Sequence, residues 1–295
     1  MTMRPHFFHT IGAQRGFTLV EAVMVIVITG IIAAMVAVFI RSPVEGYLAT
    51  QRRADLTDAA DVTLRRLARE VRLSLPNSLR VDTTTNATYS YIEFILATAG
   101  GRYRDASDGS TGGNFLDFTD STMLTFDVLG PMPGNPALAA GDSIVVYNLG
   151  PGYAPGDAYT APGPGGNRAQ VSSVAGNTVT LASNPFASAS PTLPSPSSRF
   201  HVVPGSIKAV TYECPRTVAG TMKRYWNYGF NASVPTSSPG GSSAIALTNV
   251  TCEVGYTANV SQRNGLLYIK LTLTDGTSSG ESVTVFEQIH VDNSP

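Results

Sequence analysis

A single carboxylate, Glu21, stands near the start of an otherwise uncharged apolar run, GFTLVEAVMVIVITGIIAAMVAVFI, which spans residues 16–40. An ionised side chain at the centre of a bilayer costs about 2.5–3.5 kcal/mol, and less near the interface. The chemistry open to Glu21 is therefore pairing with a cation. Other arrangements are weaker. Gly276-Thr277-Ser278-Ser279-Gly280 fits the serine-hydrolase spacing G-x-S-x-G, but that motif works only on a strained strand-to-helix turn. Here it lies between two β-patterned runs and reads as a hairpin loop. Neither His201 nor His290 has a metal-ligating partner at helical spacing, so both read as structural. Asp105, Asp108 and Asp117, with Asp120 beyond, supply oxygens in a Gly-rich stretch. Calcium takes six to eight such ligands. The EF-hand spacing is absent, however, and Asp and Gly favour turns in any case. A polar loop is the first reading and a calcium site the second; no other metal and no cofactor is expected. Tyr225, Trp226, Tyr228 and Phe230 could stack on a sugar, although aromatics on alternating strand positions more often pack a sheet.

The elements that carry these residues follow from length and pattern. The apolar run of about 24 residues is long enough, as a helix, to cross ~30 Å of hydrocarbon. Arg4 and Arg15 precede it without any acid, which favours a cytoplasmic N-terminus; Arg41 at the far end blurs that rule. From Arg41 helical character continues to about Leu75, where Pro76 stops it. Leu56, Ala60, Leu64, Leu67, Val71 and Leu75 form one apolar stripe, and Arg52, Arg53, Asp55, Asp58, Arg65, Arg66, Arg69 and Arg72 take the remaining surface. That basic cluster reads first as a solvated face and second as a partner surface. Asp61 and Arg65 form an i,i+4 pair in the favourable order. Joined to the anchor, 17–75 would make a helix of roughly 59 residues, near 90 Å long. Pro43 lies within it, and its ring clash with the preceding turn leaves open whether the helix kinks or is interrupted there.

After Pro76 the pattern changes to short β-like runs punctuated by Gly, Pro, Ser and Asn. Candidates are 89–97, 123–129, 143–149, 169–174, 178–181, 199–203, 207–214, 223–230, 250–256, 266–274 and 282–291. Leu267, Ile269, Leu271 and Leu273 alternate with Tyr268, Lys270 and Thr272, as in a strand with one buried face. The stretches 130–140, 150–166, 182–198 and 232–243 read as loops. The economical arrangement is one antiparallel sheet packed on the end of the long helix. With 295 residues, formal charge −1 and 14% charged residues, the chain has room for an anchor and one sizeable folded domain. It lacks the basic excess of a nucleic-acid surface.

The string from Gly16 onwards resembles the class III leader junction of type IV prepilins and type II secretion pseudopilins. The resemblance implies cleavage by a prepilin peptidase between Gly16 and Phe17, N-methylation of Phe17, and a role for Glu21 in docking to other pilin subunits. It implies a leader over 1–16, a transmembrane helix over 17–40, an amphipathic extension over 41–75 and a β-rich extracytoplasmic domain over 76–295. The implied fold class is α+β, the lollipop of type IV pilins, with a long N-terminal transmembrane and amphipathic helix packed on an antiparallel β-rich globular domain. The anchor would sit once in a bacterial inner membrane, with the C-terminal domain in the periplasm and later in a pilus. Many major pilins carry a proline where this chain has Val38, whereas Gly30 agrees with the family. If the domain is exported, Cys214 and Cys252 are the natural disulfide, the alternative being two separate buried thiols. Closing a loop of roughly 38 residues is worth about 4 kcal/mol in the chain-entropy model.

Further stretches resemble the MshO-type minor pilins of the mannose-sensitive haemagglutinin (MSHA) pilus: ADLTDAADVTLRRLAREVRLSLPNSLRV at 54–81, GRYRD at 101–105, FDVLGPMP at 126–133, VVYNLGPG at 145–152, SSRFHVVPG at 197–205 and HVDNSP at 290–295. The implied role is structural and not enzymatic: a minor pilin that helps initiate or assemble the filament, with the peptidase, other pilins and the assembly platform as partners. The alternatives are a minor pseudopilin of type II secretion, or a glycan-binding adhesin at the pilus tip.

Overall fold

A computed structural model describes residues 16–106, 109, 112–160, 163, 165–261, 264–276 and 280–295. Its elements are a helix α1 (Leu19–Arg72), a single 3-10 turn (Phe186–Ser188) and thirteen strands. The strands are β1 (Arg80–Asp82), β2 (Tyr89–Ile95), β3 (Ala99–Tyr103), β4 (Thr125–Leu129), β5 (Ser143–Val145), β6 (Arg168–Ala175), β7 (Thr178–Leu181), β8 (Arg199–Val203), β9 (Ala209–Pro215), β10 (Gly220–Trp226), β11 (Ser242–Ser261), β12 (Asn264–Thr274) and β13 (Ser282–Asp292). This is the expected α+β layout: a long apolar N-terminal helix followed by antiparallel β-structure. The chain forms two compact units that divide between Arg52 and Arg53.

In the first unit, α1 carries no charge from Ala22 to Ile40 and is apolar on all sides there, and its side chains are uncovered, with Leu19 81%, Ile26 70% and Phe39 78% exposed. It is the one described helix long and apolar enough to cross a membrane. Pro43 does not break it, because helical geometry runs on through that position. Proline has no amide hydrogen, so the Phe39 carbonyl gives up its helical donor while the flanking bonds persist.

In the second unit, the last turns of α1 lie on one face of a seven-stranded antiparallel sheet of order β1-β2-β9-β10-β11-β12-β13. Ala60, Leu64, Leu67, Ala68 and Val71 are buried against Phe94, Val210, Met222, Val250, Leu267, Ile269 and Leu271. Spacings of three and four place those helix positions on one side. The alternation in β12 turns Leu267, Ile269, Leu271 and Leu273 inward, each fully buried. A polar contact fixes the register between helix and sheet: the Glu70 carboxylate accepts from Arg224 Nε at 2.8 Å and from the Tyr212 hydroxyl at 2.9 Å. The helix ends at Arg72, a turn before the expected Leu75. Leu75 instead donates its amide to the Ile95 carbonyl at 2.8 Å.

The second sheet system was not expected. Ile95 of β2 pairs directly with Ala209 of β9, so 96–208 is an insertion between two neighbouring strands. That insertion closes into a six-stranded barrel, β3-β4-β7-β6-β5-β8. Tyr103, Phe126, Ile144, Ala169, Val179 and Phe200 fill it. At its base Gly205 passes so close to the Gly141 backbone that an added Cβ would press into the Gly141 carbonyl. Between barrel and sheet, Leu75, Ile95, Val145, Tyr159, Val203 and Ala209 form a separate apolar cluster. Two guanidinium groups reinforce it, Arg80 over the Tyr159 ring at 3.6 Å and Arg168 over the Phe230 ring at 3.7 Å from the centroids.

Truncating Leu67, which is 0% exposed under the helix, is expected to destabilise the helix–sheet unit by about 2–5 kcal/mol. Chemical denaturation of Leu67→Ala against the parent measures this.

Candidate functional site

The N-terminal junction is built from local rules. Gly16, Phe17 and Thr18 lie outside regular structure ahead of the helix, and all are exposed. The Gly16–Phe17 bond is therefore accessible and not locked in a helix or strand. A Cβ added to Gly16 would meet nothing within 4 Å. The chain itself therefore has no steric need for glycine there, and any such need belongs to the enzyme that cuts.

Thr18 is the helix cap. Its hydroxyl oxygen accepts the Glu21 amide at 3.2 Å, and its carbonyl accepts the Ala22 amide at 3.1 Å. Thr18-Leu19-Val20-Glu21 fits the capping-box spacing, in which a Thr cap is followed three residues later by Glu. Thr18 was missed in the sequence reading, although the T-x-x-E signal was there to be read. The cap places Glu21 in the first turn of α1, where the unpaired amides and the helix dipole favour a negative charge. Phe17, 78% exposed, lies immediately before the cap and four positions before Glu21.

The other candidate residues are engaged elsewhere. Cys214 and Cys252 are joined in a disulfide with Cα atoms 5.9 Å apart, tying β9 to β11 on the helix-facing side. The Asp117 carboxylate accepts from the Thr119 amide at 2.6 Å, the Thr119 hydroxyl at 2.7 Å and the Asp120 amide at 2.9 Å, which closes a turn. Asp105 is exposed to an intermediate degree, and Asp108 lies outside the described residues. Among the described residues no group of three or more His, Cys, Asp or Glu could hold a metal. Ser278 also lies outside the described residues. Thr274 pairs with Ser282, so the stretch that contains it joins two antiparallel strands. His201 sits on β8, its burial holding the imidazole below the usual range.

The aromatic group of β10 and the loop after it is largely engaged within the protein. Tyr225 is buried, with its hydroxyl on Glu213 Oε2 at 2.7 Å. Tyr228 donates to Glu93 Oε1 at 2.8 Å, and Phe230 lies under Arg168. Tyr228 and Phe230 pack at the cluster between sheet and barrel, while Trp226 is half-buried against the sheet core with Arg224 over its ring at 4.9 Å.

Several carboxylates that sequence pattern did not single out are buried or nearly so, among them Glu70, Glu93 and Glu213. Glu93 is fully buried and paired with Arg80, which is 11% exposed. Burial raises the Glu93 pKa, while Arg80 and the Tyr228 hydroxyl oppose the rise. Glu213 accepts from the Tyr91 hydroxyl at 3.1 Å and the Ser238 hydroxyl at 3.1 Å, in addition to Tyr225. Every one of these groups is committed to internal partners, as structural polar networks must be.

The family model for the prokaryotic N-terminal methylation motif matches residues 11–37. Residues 16–37 of that match are described and carry the exposed junction, the capped helix start and Glu21. The chain is thus type IV prepilin-like at its N-terminus. No curated protein and no solved structure matches the chain.

Removing Arg80 would leave Glu93 buried without its cation, a change that costs about 3–5 kcal/mol. A carboxyl whose folded pKa lies above its unfolded value costs stability above that pKa and regains it as the pH falls through it. Arg80→Ala is therefore expected to unfold more easily at neutral pH and to recover part of the deficit on mild acidification. Denaturant midpoints across pH for variant and parent read out both effects.

Proposed function

We propose that this chain is a structural minor pilin that helps initiate or assemble a type IV pilus of the mannose-sensitive haemagglutinin kind. A prepilin peptidase cuts after Gly16, and the new α-amino group of Phe17 is methylated. The single observation that carries the reading is the methylation motif, centred on an exposed junction with one carboxylate in the first turn of an uncovered apolar helix. The chain is held in the bacterial inner membrane by α1 until the assembly platform moves it into a filament with other pilin subunits. Residues beyond Arg53 face the periplasm and then the outside. No catalytic step is assigned to it.

The energetics rest on Glu21. Alone in hydrocarbon its charge is costly, and when a neighbouring subunit's N-terminal ammonium lies beside it the pair becomes tolerable. Membership of the filament therefore removes a penalty that the free subunit carries. This selects correctly processed subunits, because an uncut chain has no ammonium at Phe17.

Glu21→Ala is expected to insert and be cleaved normally yet be lost from sheared filaments; normal co-purification with the pilus would count against the pairing. Gly16→Leu is expected to accumulate at the uncleaved mass on immunoblots. Since the chain has room for the larger side chain, complete processing of that variant would remove the peptidase from the scheme.

A further inference from the structure

A cleft of about 560 Å³ opens where the barrel meets the end of the sheet. β13 starts beside Glu281, which pairs with Arg53, and ends beside Asn293, which lines the cleft, so the two features lie at opposite ends of the sheet. Leu79 and Leu149 supply apolar walls, and Asn77, Tyr153, Tyr256 and Asn293 supply polar atoms and rings. None of its described lining residues carries a charged side chain. The polar floor is a built network. Asn293 accepts the Asn77 amide on Oδ1 at 3.3 Å and donates Nδ2 to the Tyr256 hydroxyl oxygen at 3.1 Å and to the Ala258 carbonyl at 3.0 Å. Asn77 in turn donates Nδ2 to the Asn148 carbonyl at 2.9 Å. A Cβ added to Gly265 of β12 would lie 2.6 Å from the Tyr256 hydroxyl oxygen, so the strand gives up a side chain there to seat that ring. Two polar functions are left over among the described residues: the acceptor Oδ1 of Asn77 and the hydroxyl proton of Tyr256. Burial raises the Tyr256 pKa and Asn293 opposes the rise, so the hydroxyl keeps its proton.

Tyr153 stands at the rim of this cleft. It is 65% exposed and makes no ring contact among the described residues. Its loop is closed by its own backbone, with the Leu149 amide on the Gly156 carbonyl at 2.8 Å and the Gly156 amide on the Tyr153 carbonyl at 2.7 Å. Single exposed apolar residues are ordinary. An aromatic held at the mouth of a concave site by a closed loop is a binding surface. We propose that the cleft binds a neutral sugar ring, stacked by its C–H face on Tyr153, with hydroxyl groups on Asn77 Oδ1 and the Tyr256 hydroxyl. The ligand class follows from what the lining offers. A metal ion or a phosphate would find no side-chain charge to pair with. A wholly apolar ligand would cover the Asn77 acceptor and the Tyr256 donor without satisfying them, a cost of about 1–3 kcal/mol for each. A ring with one apolar face and hydroxyl groups at its edge, each both donor and acceptor, satisfies the aromatic and the two polar functions together. The proposal adds a binding function to the chain and does not rest on the pilin reading.

The test uses the full chain, extracted from its native membrane in a detergent without a sugar headgroup. It is titrated with neutral methyl hexopyranosides and read by saturation-transfer NMR. The expected result is saturable binding of at least one glycoside, weakened about ten-fold by Tyr153→Ala and about five-fold by Tyr256→Phe. Glucuronate, which brings a charge, and cyclohexanol, which lacks most of the hydroxyl groups, are expected to bind at least about five-fold less tightly. Since Tyr153 lies outside the core, Tyr153→Ala is expected to keep the denaturation midpoint of the parent, so its lost binding is not lost fold. No binding of any methyl hexopyranoside to the parent chain overturns the proposal. Binding that both variants retain puts the sugar elsewhere and overturns it too. Cyclohexanol binding as tight as that of the glycosides marks a plain apolar groove, with the same consequence.

Discussion

The constraint on which the rest depends is one carboxylate in an apolar helix. Every other side chain from Leu19 to Ile40 is neutral, so the anchor would be more stable in lipid with any apolar residue at position 21. Thr18 and the open amides of the first turn offset part of that cost by holding Glu21 at the positive end of the helix dipole. In the proposed function the remainder is relieved by a cation from outside the chain. A penalty retained in the isolated subunit and released on association is a physical basis for selective assembly.

The second unit shows how such a helix can carry a large display surface. The seven-stranded sheet covers one side of the helix end and is locked to it by Glu70, Arg224 and Tyr212. The barrel is then added where β2 would otherwise turn directly into β9. Insertion between two adjacent strand ends leaves the parent sheet intact. The cost is a new seam, and Arg80, Arg168 and the aromatic rings of Tyr159 and Phe230 stabilise it. The same requirement accounts for the buried Arg80–Glu93 pair, which positions the guanidinium that reaches across the seam.

The junction was legible in the sequence because it is a linear signal: a small residue, an aromatic, a lone acid and an apolar run. The strands β7 and β8 were legible in full, and the buried face of β12 was legible from its alternation. The barrel was not, since its closure depends on pairings such as β3 with β8 and β4 with β7 between segments far apart in the chain. The three-residue β1 and the glycine-containing β3 lack a periodic pattern, and the Ser- and Ala-rich start of β11 reads as loop. The sequence left the effect of Pro43 open because a local rule about ring and carbonyl says nothing of the long helix on either side, which continues through it. The aromatics after Lys223 were visible, but the packing of Tyr228 and Phe230 at the barrel seam depends on an insertion that no local pattern announces.

The most direct measurement is the intact mass and N-terminal sequence of the protein extracted from its native membrane. The account predicts a chain that begins at Phe17 and carries one methyl group on its α-amine. A chain that retains residues 1–16 in cells with an active prepilin peptidase would contradict it, because Glu21 would then have no Phe17 ammonium to meet.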